Sequence, residues 1–378
     1  MQLPDNDDAH RADEHARIGT KLHTEKALEN AIRHYSRALE LEPDLAWVWA
    51  NRGWARFQDG DSDGALVDLD HAIKLDPEFV PTYGYRAWVR VRVDDFSGAI
   101  ADSTLVAERF PDDPQSYVAR GWIYWTSGKI DRAWDDSTFA IELDPRFVPG
   151  YVVRAWTLAV KGNVGDALKE CNKALEIAPQ NDQAFGIRGQ IALDQGDTQD
   201  AITNFTKALT LNSQDGWHRY RRAVAYYCLS RWKEAVVDFR QAGRIAWSDP
   251  TLRDYANLRE WMTDFRQGRA SQNEKSWRTY LERRKTSLKG DWFRRVADFM
   301  VGCNSETDLL SASSAHPQLK TERLCQACFH IGIRRRTQGL SGAAIEAFRD
   351  CIGTGIQGYF EIPMARAELK TLNNSPAK

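Results

Sequence analysis

The chain has 378 residues, 42% hydrophobic and 28% charged, with a net charge of −2. So even a balance excludes a global electrostatic pull toward nucleic acid or an anionic membrane, and without a run of 18 apolar residues no bilayer-spanning helix is expected. Six cysteines are too few for a disulfide scaffold, and the polar, acidic start lacks the apolar core of a signal peptide, so a reducing, cytoplasmic setting is expected.

Residues 1–11 are acidic and aperiodic and are expected to be loose. A 34-residue period then begins. Arg52-Gly53-Trp54, Arg86-Ala87-Trp88, Arg120-Gly121-Trp122 and Arg154-Ala155-Trp156 recur at that interval, as do Pro43, Pro77, Pro111, Pro145 and Pro179. Each proline follows an apolar helical stretch and cannot continue it, so it marks a helix end. Midway lie Gly60, Gly128, Gly162 and Gly196, where a left-handed residue closes one helix and a following aspartate can cap the next. Each period is therefore two antiparallel helices, and seven tandem units fill residues 12–249.

The register breaks after Trp247. Asp249-Pro250 supplies a cap and first-turn proline for a helix over 251–266, and a polar, basic stretch with Arg283-Arg284-Lys285 follows. A tryptophan-bearing helix from Asp291 to Val301 and an irregular run to about residue 318 complete a basic helical segment, 250–324. From Cys325 the repeat spacing returns through Gly332, Gly339, Ala344, Phe348 and Cys351, giving a degenerate hairpin. A helix from Ile362 to Leu372 would cap it, so this part spans 325–372, and 373–378 form a loose tail.

The periodic part resembles the tetratricopeptide repeat family, with small residues at positions 8, 20 and 27, large apolar ones at 4 and 24, and proline at 32. The second unit supplies Trp49, Gly53, Ala65, Leu69, Ala72 and Pro77, and the sixth supplies Phe185, Gly189, Ala201, Phe205 and Ala208. The resemblance implies an all-α solenoid of helical hairpins that acts as a non-catalytic adaptor for protein partners. The C-terminal part also resembles bacterial lipoprotein-type repeat adaptors of murein hydrolases, through Asp291-Trp292, Leu324 to Gly332 and Ala365-Arg366-Ala367-Glu368-Leu369. Those relatives carry a lipidated N-terminal cysteine. Here none precedes Cys171, so no membrane anchor is carried over.

Position 7, usually leucine in the family, is arginine in six consecutive units. Position 23 then reads Asp68, Asp102, Asp136, Glu170, Asn204 and Asp238. Where position 7 is apolar, at Ile18 and Ile331, position 23 is His34 or Ala347. The arginines are therefore expected to form ion pairs inside each hairpin, the forked guanidinium gripping a carboxylate.

Position 9 reads Trp54, Trp88, Trp122 and Trp156, then Gln190 and Val224. The resemblance places this position on the concave face, so the four indoles would anchor a peptide or partner helix, flanked by Trp47, Phe57, Tyr85 and Trp125. Two alternatives stand: the rings pack between repeats and the protein is structural or self-associating, or the tryptophan-bearing segment 251–300 fills the groove. The lysine and asparagine of the family's carboxylate clamp are missing, so chaperone tails are not expected.

Other motifs carry little chemistry. Gly353-Thr354-Gly355-Ile356-Gln357-Gly358 follows a helix rather than a strand, unlike a dinucleotide loop. Cys325-Gln326-Ala327-Cys328 lacks a second ligand pair. Arg283-Arg284-Lys285 and Arg334-Arg335-Arg336 read as solvated helix faces. No catalytic residue, metal site, cofactor or nucleic-acid partner is expected.

Overall fold

The computed structural model describes residues 6–246, 249–267, 270–284, 292–315, 319–356 and 359–374, and among them all regular structure is helical. Seven hairpins follow in order: α1 (Asn6–Thr24) with α2 (Leu28–Leu41), α3 (Ala46–Asp59) with α4 (Ser62–Leu75), α5 (Pro81–Arg92) with α6 (Phe96–Arg109), α7 (Pro114–Thr126) with α8 (Ile130–Leu143), α9 (Val148–Val160) with α10 (Val164–Ile177), α11 (Asp182–Gln195) with α12 (Thr198–Leu211), and α13 (Gly216–Cys228) with α14 (Trp232–Ile245). Then come α15 (Pro250–Arg266), α16 (Ala270–Arg283), α17 (Trp292–Met300) and α18 (Glu306–Ser313). The hairpin of α19 (Lys320–Thr337) and α20 (Ser341–Gly353) and the last helix, α21 (Glu361–Asn373), follow. This is an all-α repeat fold of the solenoid class.

Close approach inside each hairpin explains the small residues at position 8. A Cβ on Gly53 would lie 2.9 Å from the Leu69 side chain, and one on Gly332 would lie 2.5 Å from the Phe348 ring. Gly60 closes α3 in the left-handed region at φ 98°, and Asp61 then caps α4 by accepting the Gly64 N–H at 2.9 Å. Where the glycine is missing, a non-glycine residue takes the same strained role: Lys26 at φ 66°, Asp94 at 62° and Ser230 at 57°.

Two compact units divide the chain. Among the described residues, the first comprises 6–145 with 249–250 and 284; the second comprises the remainder. In the first, burial is spread over small clusters, each built from neighbouring hairpins. In the second, one continuous cluster runs from Ala192 through Trp261, Trp277, Trp292 and Phe329 to Ala365, uniting α11 with α21.

The structure departs from the expected boundaries in three places. Residues 6–11, expected loose, begin α1, where Asp7 and Asp8 in the first turn suit the positive end of the helix. The supposedly irregular run contains α18, which Ser305 and Asp308 start with a reciprocal capping box. The polar stretch after Arg266 contains α16. Residues 1–5, Trp247, Lys285, Asp291, Gln357, Gly358 and the tail from residue 375 lie outside the described residues.

Candidate interaction surface

The position-7 arginines point into their own hairpins. Arg52 grips Asp68 with two bonds of 2.8 Å, and Arg86–Asp102, Arg120–Asp136 and Arg222–Asp238 repeat the fork. Arg154 reaches Glu170 at 2.8 Å. Asn204 instead bonds to Asp200, and Arg188 turns to Asn172. The hydrogen bond to Asp136, outweighing burial, holds the Arg120 guanidinium above its ordinary pKa. Two features were not foreseen. Arg56 and Arg90, one turn further on, add a second guanidinium to Asp68 and Asp102 at 2.8 Å each. The same arginines also reach back to the preceding hairpin, Arg52 to Ser36 at 3.1 Å, Arg86 to Asp70 at 2.6 Å and Arg222 to Thr206 at 3.3 Å. Every ladder arginine except Arg188 thus fixes its own hairpin, and Arg52, Arg86, Arg188 and Arg222 each also tie a repeat junction. That occupation engages the paired guanidinium groups within the fold.

The position-9 tryptophans are not equivalent. In the first unit Trp88 is 37% exposed, while Trp54 and Trp122 are half-buried. Trp54 stacks on Tyr85 with ring centres 5.0 Å apart and meets Phe57 at 5.2 Å; Trp122 meets Trp125 edge-on at 5.9 Å. Trp47 is half-buried against the cluster around Val48 and Ala55. Gly84, one turn before Trp88, has nothing within 4 Å of where a Cβ would stand, so open space lies beside that indole. In the second unit Trp156 is 5% exposed and lies under the Arg221 guanidinium at 4.9 Å. Seven of the eight predicted residues therefore belong to the first unit, and Trp156 is core of the second.

In the second unit the corresponding face is covered by the chain itself. Helix α21 packs on α11, α13 and α19, the first helices of their hairpins. The contacts fall at repeat positions 5, 12 and 13. Phe360 meets Tyr220 at position 5 with ring centres 5.0 Å apart, Arg366 donates to the Asp194 carbonyl at position 13, and Tyr227 at position 12 donates to Glu368 at 2.5 Å. Glu368, 1% exposed, also receives Arg266 at 2.9 Å and Arg336. Arg259, fully buried, bonds Glu361, Tyr220 and His330 together. His330 accepts from Arg259 through Nε2, and its Nδ1 donates to the Gln326 carbonyl at 2.6 Å, which fixes the neutral ring. Burial and the adjacent Arg259 charge hold its pKa well below the ordinary value. Segment 251–300, considered as a groove filler, instead places Trp261, Trp277 and Trp292 in the core of this unit.

The remaining motifs resolve into structure. Arg334, Arg335 and Arg336, expected as a solvated face, bond to the Phe299 carbonyl, Glu306 and Glu368. Cys325 and Cys351 are buried with their sulfurs 3.5 Å apart, and burial pushes the Cys328 thiol up to about 11. Gly353 ends α20 with no strand before it among the described residues; the last two residues of that string lie outside them.

Residues 19–60 match a family model described as TPR repeat, and residues 188–250 match one described as tetratricopeptide repeat. No curated protein sequence matches the chain. A tetratricopeptide repeat protein from Parabacteroides merdae is similar at 16% identity and TM-score 0.53, over 66% of this chain and 99% of that one. YrrB, a TPR protein with an unusual peptide-binding site, is 22% identical over 48% of this chain and 92% of its own, at TM-score 0.39. The APC/C hetero-tetramer Cut9–Hcn1 is 16% identical over 91% of this chain and 59% of that one, at TM-score 0.49. The 34-residue period, the close hairpins at position 8 and the two repeat models that match agree: the chain is a tetratricopeptide-repeat protein.

Proposed function

We propose that this protein is a non-catalytic adaptor whose first unit binds a peptide or helix of a protein partner on its inner face. The observation that carries the reading is the exposed Trp88, beside the open space at Gly84, in a unit where Trp54, Tyr85, Trp122 and Trp125 are half-buried. Amphipathic rings that stay partly wet in the free protein are favoured anchors at interfaces, because they bury much area at little side-chain entropy. Trp47 and Phe57 would form the edge of this surface. Trp156 is assigned to packing, on the strength of its burial beneath Arg221. A reducing, cytoplasmic setting remains part of the proposal.

Affinity capture with the full chain tests it, comparing wild type with Trp88→Ala plus Trp122→Ala. Capture of a partner by wild type, its loss in the double variant and unchanged helicity support the reading. Equal capture by both proteins, or loss of capture only alongside unfolding, rejects it in favour of packing.

A further inference from the structure

At the N-terminal ends of α11 and α13 the fold brings Asp182 to Asp215 and His218, which lie three residues apart at the start of α13. Asp215 caps α13 with one oxygen, Oδ1, which accepts the His218 backbone N–H at 2.6 Å. Its other oxygen lies 3.8 Å from His218 Nε2, and Asp182 Oδ2 lies 3.3 Å from the same nitrogen. The ring is fully buried, yet neither nitrogen has an aligned hydrogen-bond partner; the approach to Asp182 is close enough for a charge contact but poorly directed. A buried imidazole in that state is costly unless something else engages it.

The surroundings are shaped for this ring. A Cβ on Gly186 would stand 2.2 Å from His218 Cε1, so α11 must present a glycine there. The equivalent position in the preceding five units is Val48, Thr82, Ser116, Gly150 or Ala184, none of them an imidazole. The carboxylates converge without a lysine or arginine salt bridge among the described residues. Instead the Gln183 side-chain amide stands 3.2 Å from Asp215 Oδ2 and 3.4 Å from Asp182 Oδ2, and Asn212 donates to Asp182 Oδ2 at 3.1 Å.

We propose that Asp182, Asp215 and His218 form a binding site for a divalent transition-metal ion, zinc above all. One imidazole with two carboxylates suits zinc or cobalt better than calcium or magnesium, which prefer all-oxygen shells. Tetrahedral bonds of about 2.0–2.2 Å hold ligand atoms about 3.3 Å apart; the two histidine–carboxylate separations are 3.3 and 3.8 Å, and all three ligand atoms lie within 4.8 Å of one another. Gln183 can turn its amide to offer oxygen as a fourth ligand, since its two ends are alike in shape. The ion would tie the first turn of α11 to that of α13, two of the repeat helices that α21 packs against.

The test uses the full chain, stripped with chelator and titrated with zinc by calorimetry and with cobalt by visible absorption. One zinc per chain is expected, with a raised thermal midpoint and cobalt bands in the visible without a strong sulfur-to-cobalt band. His218→Ala and Asp215→Asn should each weaken zinc binding at least tenfold. Asparagine still caps a helix, so Asp215→Asn separates loss of the ion from loss of the cap. No saturable binding overturns the proposal, as does unchanged affinity in both folded variants. A sulfur-to-cobalt band abolished by Cys325→Ser overturns it too, by moving the ion to the cysteines.

Discussion

Position 9 in the first unit holds Trp54, Trp88 and Trp122, with Trp88 still wet. In the second unit it holds the buried Trp156, then Gln190 and Val224, and α21 lies across the helices that carry the two smaller residues. Position 9 thus keeps Trp88 exposed in the first unit, whereas in the second Arg221 covers Trp156 and α21 lies on the helices that carry Gln190 and Val224. The cover is bound by more than apolar contact: Glu361 meets the buried Arg259, and Glu368 meets the half-buried Arg266 and Arg336. Under the proposed function, a repeat face filled in cis would therefore differ in chemistry from one kept for a partner.

Breaking the cover should have the largest effect. A chain ending at Phe360 leaves Arg259, Arg266 and Arg336 without their carboxylates, and Arg259→Leu alone strands the buried Glu361. Each is expected to cost the second unit about 3–5 kcal/mol or more in urea unfolding, because a lone buried charge is expensive. Adding a peptide of residues 361–374 to the shortened chain should restore stability; no recovery would show that α21 is not held by this face.

Exchanging the two kinds of tryptophan sharpens the contrast. Trp156→Ala should lose about 3–5 kcal/mol, as for a fully buried ring, whereas Trp88→Ala should lose under about 1 kcal/mol. Similar losses at both sites would remove the distinction between wet anchor and core.

The ladder arginines are common to both units and should behave alike in each. Arg120→Leu or Asp136→Leu alone is expected to cost about 2–4 kcal/mol, and the two together less than their sum. Additive losses in the double-mutant cycle would count against a coupled pair.

Acid should act on the second unit more gently. His330 is neutral when folded and has its pKa depressed, so the unfolded chain binds the extra proton first. Its contribution is fully present above the unfolded value near 6.5 and is lost as pH falls from there toward the depressed folded value. The slope is at most about 1.4 kcal/mol per pH unit, and His330→Gln should flatten it in urea unfolding between pH 7.5 and 5.

Much of this was legible from sequence because it is local or periodic. A proline ends a helix wherever it stands, a position-8 glycine meets the large residue sixteen further on, and an arginine meets its acid at the same spacing, as Gly53 meets Leu69 and Arg52 meets Asp68. The sixth unit shows the rule by exception: with Asn204 in place of an acid, Arg188 goes elsewhere. Helix α18 was missed because eight residues with a capping box give too short a pattern to separate from a loop.

What the sequence determined by itself was the hairpin, its period and its internal ion pair, since both partners lie within one 34-residue unit. Only the tertiary structure decided which position-9 side chains are buried and where α21 packs. Arg259 finds Glu361 and Arg266 finds Glu368 across 102 residues, and Asp182 finds His218 across 36. No period links such residues, because their contact depends on how helices from separate hairpins come to lie against one another.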